Sequence, residues 1–259
     1  MIPTERFSNR VEDYVRARPR YPDAVVSWLR ATFGLVSSAT IADVGAGPGI
    51  SAELFLRHGC TVFAVEPNDA MREAAIRRLG ADSRFRAVNA RAEATTLPPA
   101  SMDAVVAAQA FHWFDREAFR AECTRILRPG GLVVLLWNVR RVDGSPFGAG
   151  YEALLRAFAT DYLTVRHENV SDEGIAAFFG GPVERRVLEN VQALDLDGLR
   201  SRLMSSSYAP VAGDPRHEPM LAALDALYRT HQESGWVLME YDVKLYASRL
   251  TGSLPTPRG

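Results

Sequence analysis

At 259 residues and 28.5 kDa, with 47% hydrophobic and 24% charged residues, the chain has the composition of an ordinary globular protein, long enough for one large domain with an inserted or appended part. A formal net charge of −1 and the lack of any basic run give no electrostatic reason for nucleic acid or an anionic membrane as an obligate partner. No apolar run approaches the roughly 20 residues that span a bilayer. MIPTERFSNR has no signal-peptide core, and Cys60 and Cys123 lack metal-ligand spacing, so the expectation is a reduced cytoplasmic protein with no metal and two buried thiols.

Along the chain, five short apolar runs come first: Ile41 to Val44, Thr61 to Glu66, Phe85 to Asn89, Asp103 to Ala108 and Leu132 to Trp137. Their continuous apolar character suits strands covered on both faces, as in a parallel sheet. Helical patterns lie between them. Asn68 is placed to cap a helix through Leu79, and Asp115 to cap one through Leu127 before Pro129-Gly130-Gly131. Strand and helix alternating in this way predict a doubly wound α/β domain. After Asn138 the pattern changes. Gly144 to Gly150 reads as a loop, Tyr151 to Phe179 as mostly helix and Val183 to Leu194 as a long strand; helices follow near Leu196 to Ser206 and Pro219 to Ser234. Val237, Met239, Tyr241, Val243 and Leu245 alternate with Leu238, Glu240, Asp242 and Lys244, which marks a last strand with one polar face, and TGSLPTPRG reads as a frayed tail.

The first apolar run leads into Gly45-Ala46-Gly47-Pro48-Gly49 and then a helix, a geometry that offers free backbone N–H groups to a small ligand. Glu66, at the end of the second run, is placed to accept hydrogen bonds from both hydroxyls of a ribose. A dinucleotide fingerprint starting at Gly45 needs a third small residue at position 50, where this chain has Ile50. Lys244 is the sole lysine and Glu240 precedes it by four, so neither a Tyr-x-x-x-Lys oxidoreductase pair nor a phosphate loop ending in Gly-Lys is present.

Five motifs in order, Asp43-x-Gly45-x-Gly47-x-Gly49, Glu66, Arg91-Ala92-Glu93-Ala94, Gln109-Ala110-Phe111-His112-Trp113-Phe114 and Leu127-Arg128-Pro129-Gly130-Gly131, resemble a class I S-adenosylmethionine-dependent methyltransferase. The AFHWF stretch and Arg18-Pro19-Arg20-Tyr21-Pro22 resemble its type 11 branch, which includes trans-aconitate methyltransferase-like proteins. The resemblance covers roughly residues 7 to 138. It implies a Rossmann-like, mostly parallel seven-stranded sheet with an antiparallel last strand and a helical cap inserted after the fifth. The expected divisions are a lid segment at 1–30, the S-adenosylmethionine-binding core at 31–140, the cap at 141–182 and the completing strands and helices at 183–259. It implies further that Gly45, Ala46, Gly47 and Gly49 line the methionine end and ribose, that Asp43 orients the loop or reaches the amino group, and that Glu66 takes the ribose diol. Pro67, Asn68 and Met71 fall beside the adenine, Ala92 and Glu93 at its other edge, and Gln109 closes the pocket, with Tyr14 and Arg18 contributed by the N-terminal segment. Arg18 has two readings, a pair for the cofactor carboxylate or a cap on a helix end.

Methyl transfer from a sulfonium is an in-line displacement whose main demand is orientation, and a base is needed only for a hydroxyl or carbon-acid acceptor. His112, just past the fourth strand, is the candidate base or else a packed ring; Trp113 and Trp137 are candidate walls for a small organic acceptor or else core. Leu154, Leu155 and Phe158 carry the same two readings, acceptor pocket or cap core. The function expected is methyl transfer to a small molecule. The alternatives are a catalytically silent S-adenosylmethionine-binding protein or a nicotinamide-dependent oxidoreductase.

Overall fold

The computed structural model describes residues 15–160, 162 and 171–250. In chain order the elements are α1 (Ala24–Phe33), β1 (Thr40–Val44), α2 (Ile50–Arg57), β2 (Thr61–Val65), α3 (Asp69–Leu79), β3 (Phe85–Val88), β4 (Met102–Ala108), a 3₁₀ turn (Phe111–Trp113), α4 (Arg116–Ile126) and β5 (Leu127–Arg140). Then follow α5 (Pro146–Phe158), α6 (Asp172–Phe179), β6 (Glu184–Leu194), α7 (Leu196–Met204), α8 (His217–His231) and β7 (Val237–Arg249). The seven strands form one mixed sheet in the order β3-β2-β1-β4-β5-β7-β6, with parallel pairing from β3 to β5 and an antiparallel last pair. This is the doubly wound Rossmann-like sheet that the apolar runs and the family resemblance imply.

The strands at the centre are mostly apolar because both their faces are covered. Ile41, Ala42, Val44, Val62, Ala104, Val105 and Val106 are fully buried, and so are the two thiols, Cys60 and Cys123. The helices start where their caps predict. The Asn68 side chain accepts the Met71 N–H, and the Asp115 side chain accepts the N–H groups of Glu117 and Ala118.

Two elements depart from the sequence pattern. Gly144 to Gly150 is not a loop throughout: α5 starts inside it, with Pro146 in the first turn and the Ser145 hydroxyl accepting the Gly148 N–H at 3.1 Å. A good cap and a well-placed proline outweigh the helix cost of Gly148 and Gly150, about 1 kcal/mol each. β5 also begins five residues earlier than Leu132. Its pairing with β4 jumps from Met102↔Leu127 to Ala104↔Leu132, so Arg128-Pro129-Gly130-Gly131 is absorbed as an irregularity in the strand rather than ending before it. The tail TGSLPTPRG lies outside the described residues.

The chain divides into two compact units. One comprises Tyr21–Trp137, His167–Leu188 and Lys244–Gly259, and it contains the glycine loop. The other comprises Met1–Arg20, Asn138–Arg166 and Glu189–Val243. Its interior is a cluster in which Phe147, Tyr151, Leu154, Leu155, Leu199, Leu203, Met239 and Tyr241 are buried, so Leu154 and Leu155 are core residues, with Phe158 packed partly buried against them.

The glycines of the loop differ in what they require. Gly45, Gly47 and Gly49 all have positive φ, at 69°, 54° and 83°. A Cβ on Gly45 would lie 2.5 Å from the Ala110 Cβ and 3.1 Å from the Phe114 ring, whereas one on Gly47 would meet no described atom within 4 Å. Gly45→Ala is therefore expected to lose clearly more stability than Gly47→Ala, whose cost is the left-handed backbone alone, about 1–2 kcal/mol. Urea unfolding of the two variants checks this, and equal losses would contradict it.

Candidate functional site

The glycine loop is held from three sides. The N–H groups of Gly45 and Ala46 both donate to the Val65 carbonyl, at 2.9 and 3.2 Å, fastening the loop to the end of β2. Glu66 then reaches back: its Oε2 accepts the Gly47 N–H at 2.9 Å and its Oε1 accepts the Asn68 N–H at 2.8 Å. From α3, Arg78 donates to the Pro48 carbonyl at 2.5 Å and to Glu53 of α2 at 2.9 Å. Neither Arg78 nor Arg72, which donates to the Glu66 carbonyl at 3.0 Å, was singled out by the motif pattern, since nothing in their spacing distinguishes them from surface arginines.

Two acids lie at this corner. Asp43, the penultimate residue of β1, is fully buried; its Oδ2 accepts the Ser51 hydroxyl at 2.7 Å, while its Oδ1 has no hydrogen-bond partner among the described residues. Burial drives its carboxyl up to about 7, against the pull of the Ser51 and Ala52 hydrogen bonds and with a further push from the Glu66 charge. Glu66 is also raised, by burial first, with the Asn68 and Gly47 amides opposing. Ser51 is a partner of Asp43 the motif did not reveal, and its position in the first turn of α2, two residues past Gly49, is the signal that could have found it. A buried carboxylate oxygen without a donor calls for one.

These features fit an S-adenosylmethionine molecule in three separate ways. The space over Gly47 is open. A carboxylate that gives one lone pair per oxygen to the backbone still has capacity for two ribose hydroxyls, which is the position of Glu66. The ammonium of a methionine end matches the unpartnered Oδ1 of Asp43 in charge and in donors.

The remaining residues of the motif set gather around the same loop in part. Ala46, Met71 and Ala92 are buried, Pro67 is half-buried, and Asn68 spends its side chain on capping α3. Glu93 is partly committed elsewhere: Oε1 accepts the Asp115 N–H at 3.1 Å and Oε2 meets Arg91 at 3.4 Å. Gln109 continues the β4 ladder by donating its N–H to the Leu136 carbonyl at 2.9 Å, and then turns with φ 61°. A non-glycine residue held left-handed costs of order 1 kcal/mol and commonly marks a site, and Ala110, its neighbour, is the residue packed against Gly45. His112 is half-buried, its ring centroid 4.7 Å from that of Trp113, and Trp113 is exposed. Trp137 is buried between Phe111 and Tyr246, with ring centroids at 6.2 and 5.9 Å, and its indole N–H has no partner among the described residues. Tyr14 lies outside the described residues. Arg18 belongs to the other unit, where it donates to the carbonyl of Ser205, the C-cap residue of α7, at 2.9 Å. Among the described residues no cluster of three metal-ligating side chains occurs, and no helix is long and apolar enough to cross a membrane.

Residues 42–135 match the family of methyltransferase domains. An uncharacterised methyltransferase of Mycobacterium tuberculosis is 35% identical over 134 residues, 52% of each chain, and one from Schizosaccharomyces pombe is 32% identical over 138 residues, 52% of this chain and 53% of its own. These alignments span about half the length of the curated relatives. Among solved structures, a candidate type II methyltransferase from Anaeromyxobacter dehalogenans superimposes with a TM-score of 0.69 at 27% identity, over 90% of this chain and 98% of that one. A candidate methyltransferase from an antibiotic biosynthesis pathway of Anabaena variabilis, 24% identical with a TM-score of 0.61 over 88% and 98% of the two chains, shares the fold.

Asp43 gives the site a measurable pH signature. Its carboxyl titrates near 7 in the folded protein against 3.8 for the ordinary group, so folding prefers the protonated form; stability is highest below about 4 and declines as pH rises toward 7. Asp43→Asn removes that decline while keeping an acceptor for Ser51. The variant is expected to melt at least about 3 °C above wild type at pH 8, with the gain shrinking toward zero at pH 4. Thermal melts across this range check it; a gain independent of pH, or a loss at pH 8, would contradict it.

Proposed function

We propose, from the premise that residues 42–135 are a class I S-adenosylmethionine-dependent methyltransferase domain, that the chain transfers a methyl group to a small organic acceptor by in-line displacement. The observation that carries the proposal is the pairing of Glu66 with the loop: its carboxylate holds the Gly47 N–H in place and keeps two lone-pair positions for a ribose diol, next to a glycine whose side-chain space is open. When bound, S-adenosylmethionine supplies a methyl group on a sulfonium with its leaving group built in.

The chain's own residues have three tasks in this reading. Gly45, Ala46, Gly47 and Gly49 let the ligand approach the backbone, and Asp43 accepts from its ammonium, for which Oδ1 is poised. Pro67, Asn68, Met71, Ala92 and Gln109 enclose the nucleoside, with Glu93 contributing its stem while its carboxylate steadies the start of α4. Trp113 and Trp137 bound the acceptor, and the unpartnered indole N–H of Trp137 is a donor available to an acceptor oxygen. His112 takes a proton where the acceptor is a hydroxyl or a carbon acid. Holding the acceptor atom in line with the methyl carbon in a dry pocket can supply on the order of 7–11 kcal/mol, so positioning outweighs acid–base chemistry here.

Glu66→Ala is expected to weaken S-adenosylhomocysteine binding at least tenfold, because two charge-assisted hydrogen bonds of roughly 1.5–3 kcal/mol each go with it, while Glu66→Gln retains part of the affinity. Calorimetric titration of the folded variants measures this, and unchanged affinity in Glu66→Ala would place the acid away from the ribose. Once an acceptor is in hand, His112→Ala is expected to lower turnover at unchanged cofactor affinity. A fall in melting temperature with turnover intact would make the ring a packing residue.

A further inference from the structure

The unit built from Met1–Arg20, Asn138–Arg166 and Glu189–Val243 buries a guanidinium that has no carboxylate partner among the described residues. Arg202 of α7 is 6% exposed. Its Nε donates to the Tyr241 hydroxyl at 3.1 Å and its Nη1 to the Ser206 hydroxyl at 3.2 Å. Among the described residues it meets no carboxylate. The two hydrogen bonds use fewer than half of a guanidinium's donors and neutralise none of its charge. Arginine does not shed its proton to escape burial, and buried charges are ordinarily paired.

The acid nearest in kind is already committed. Glu152 is the one buried carboxylate of this unit among the described residues, and it takes Arg140 at 2.5 Å, Arg156 at 2.9 Å and the Tyr162 hydroxyl at 2.6 Å. The one buried carboxylate therefore goes to Arg140 and the half-exposed Arg156, and not to Arg202. Beside them Tyr151, 1% exposed, has a hydroxyl with no hydrogen-bond partner among the described residues, and the Arg140 Cζ lies 5.0 Å from the centroid of its ring. Tyr151 lies in the same buried cluster as Tyr241, whose hydroxyl receives Arg202; burial raises the Tyr151 hydroxyl well above the ordinary range, with the Arg202 charge opposing. The Tyr241 hydroxyl that receives Arg202 also contacts the Gln192 amide oxygen at 3.1 Å, so the Arg202 side is anchored and oriented.

We propose that Arg202 and Tyr151 form a binding site for a small organic carboxylate, the guanidinium supplying the charge and parallel N–H donors, the phenol a further donor. The surroundings choose the rest of the ligand. Leu155, Leu199, Leu203 and Met239 belong to the same buried cluster as Tyr151 and Tyr241, so the site favours a monoanion with an apolar body over a doubly charged, fully hydrated ion. The inference is independent of which molecule is methylated, because it concerns residues of this unit alone and its test uses no cofactor.

The test is the melting temperature of the full chain against rising benzoate and hexanoate, with inorganic phosphate at matched ionic strength as the comparison. Both carboxylates are expected to raise it with a saturable dependence, and phosphate is not. Arg202→Met should weaken the apparent affinity at least about tenfold, and Tyr151→Phe, which keeps the ring and its packing, about fivefold. No rise with either carboxylate, an equal rise with phosphate, or a rise that survives Arg202→Met would overturn the proposal. If Arg202→Met does not fold, an unaltered response in Tyr151→Phe overturns it equally.

Discussion

The carboxylate of Glu66, bonded on one oxygen to the Gly47 N–H and on the other to the Asn68 N–H, is the contact on which the loop depends. It joins the turn after β1 to the turn after β2, at the end of two parallel strands whose register runs through Asp43↔Ala64 and Val44↔Val65. A left-handed Gly47 has no packing reason to stay where it is, since nothing described lies within 4 Å of its missing side chain. The acid supplies that reason. The same group thus organises the loop and keeps lone-pair capacity to spare, so under the proposed function binding would need little rearrangement of the backbone.

The corner is built at a cost to stability. Asp43 is fully buried beside a second acid, with one oxygen lacking a donor, and burial raises both carboxyls. Such an arrangement disfavours the ionised ligand-free state and favours a cationic group that reaches Oδ1. Gln109, left-handed without being glycine, is a second strained element at the same loop. Strain at Gln109 and an unpartnered carboxylate oxygen at Asp43 thus meet at one corner of the sheet.

Much of this was legible in the sequence because it depends on local chemistry. Asn68 and Asp115 cap the helices their positions imply, and the period of two from Val237 to Leu245 is the buried alternation of β7. The strand limits shifted where tertiary pairing overrode local signals: Pro129-Gly130-Gly131 reads as a break, but the β4 register continues across it. Three glycines from Gly144 to Gly150 read as a loop, although the Ser145 cap and Pro146 in the first turn start α5 there. The role of Gly45 was half visible. Its positive φ follows from the motif, but its contact with Ala110 and Phe114 joins residues more than sixty positions apart and leaves no local trace. The same holds for Ser51 under Asp43, and for Tyr151, whose buried hydroxyl has no partner among the described residues.

The most direct test is titration of the purified chain with S-adenosylmethionine, S-adenosylhomocysteine and NADH in parallel calorimetric runs. The account predicts micromolar binding of the first two and none of NADH, because Ile50 occupies the position where a dinucleotide fold needs a small residue. Binding of NADH with silence from both sulfur ligands would contradict it.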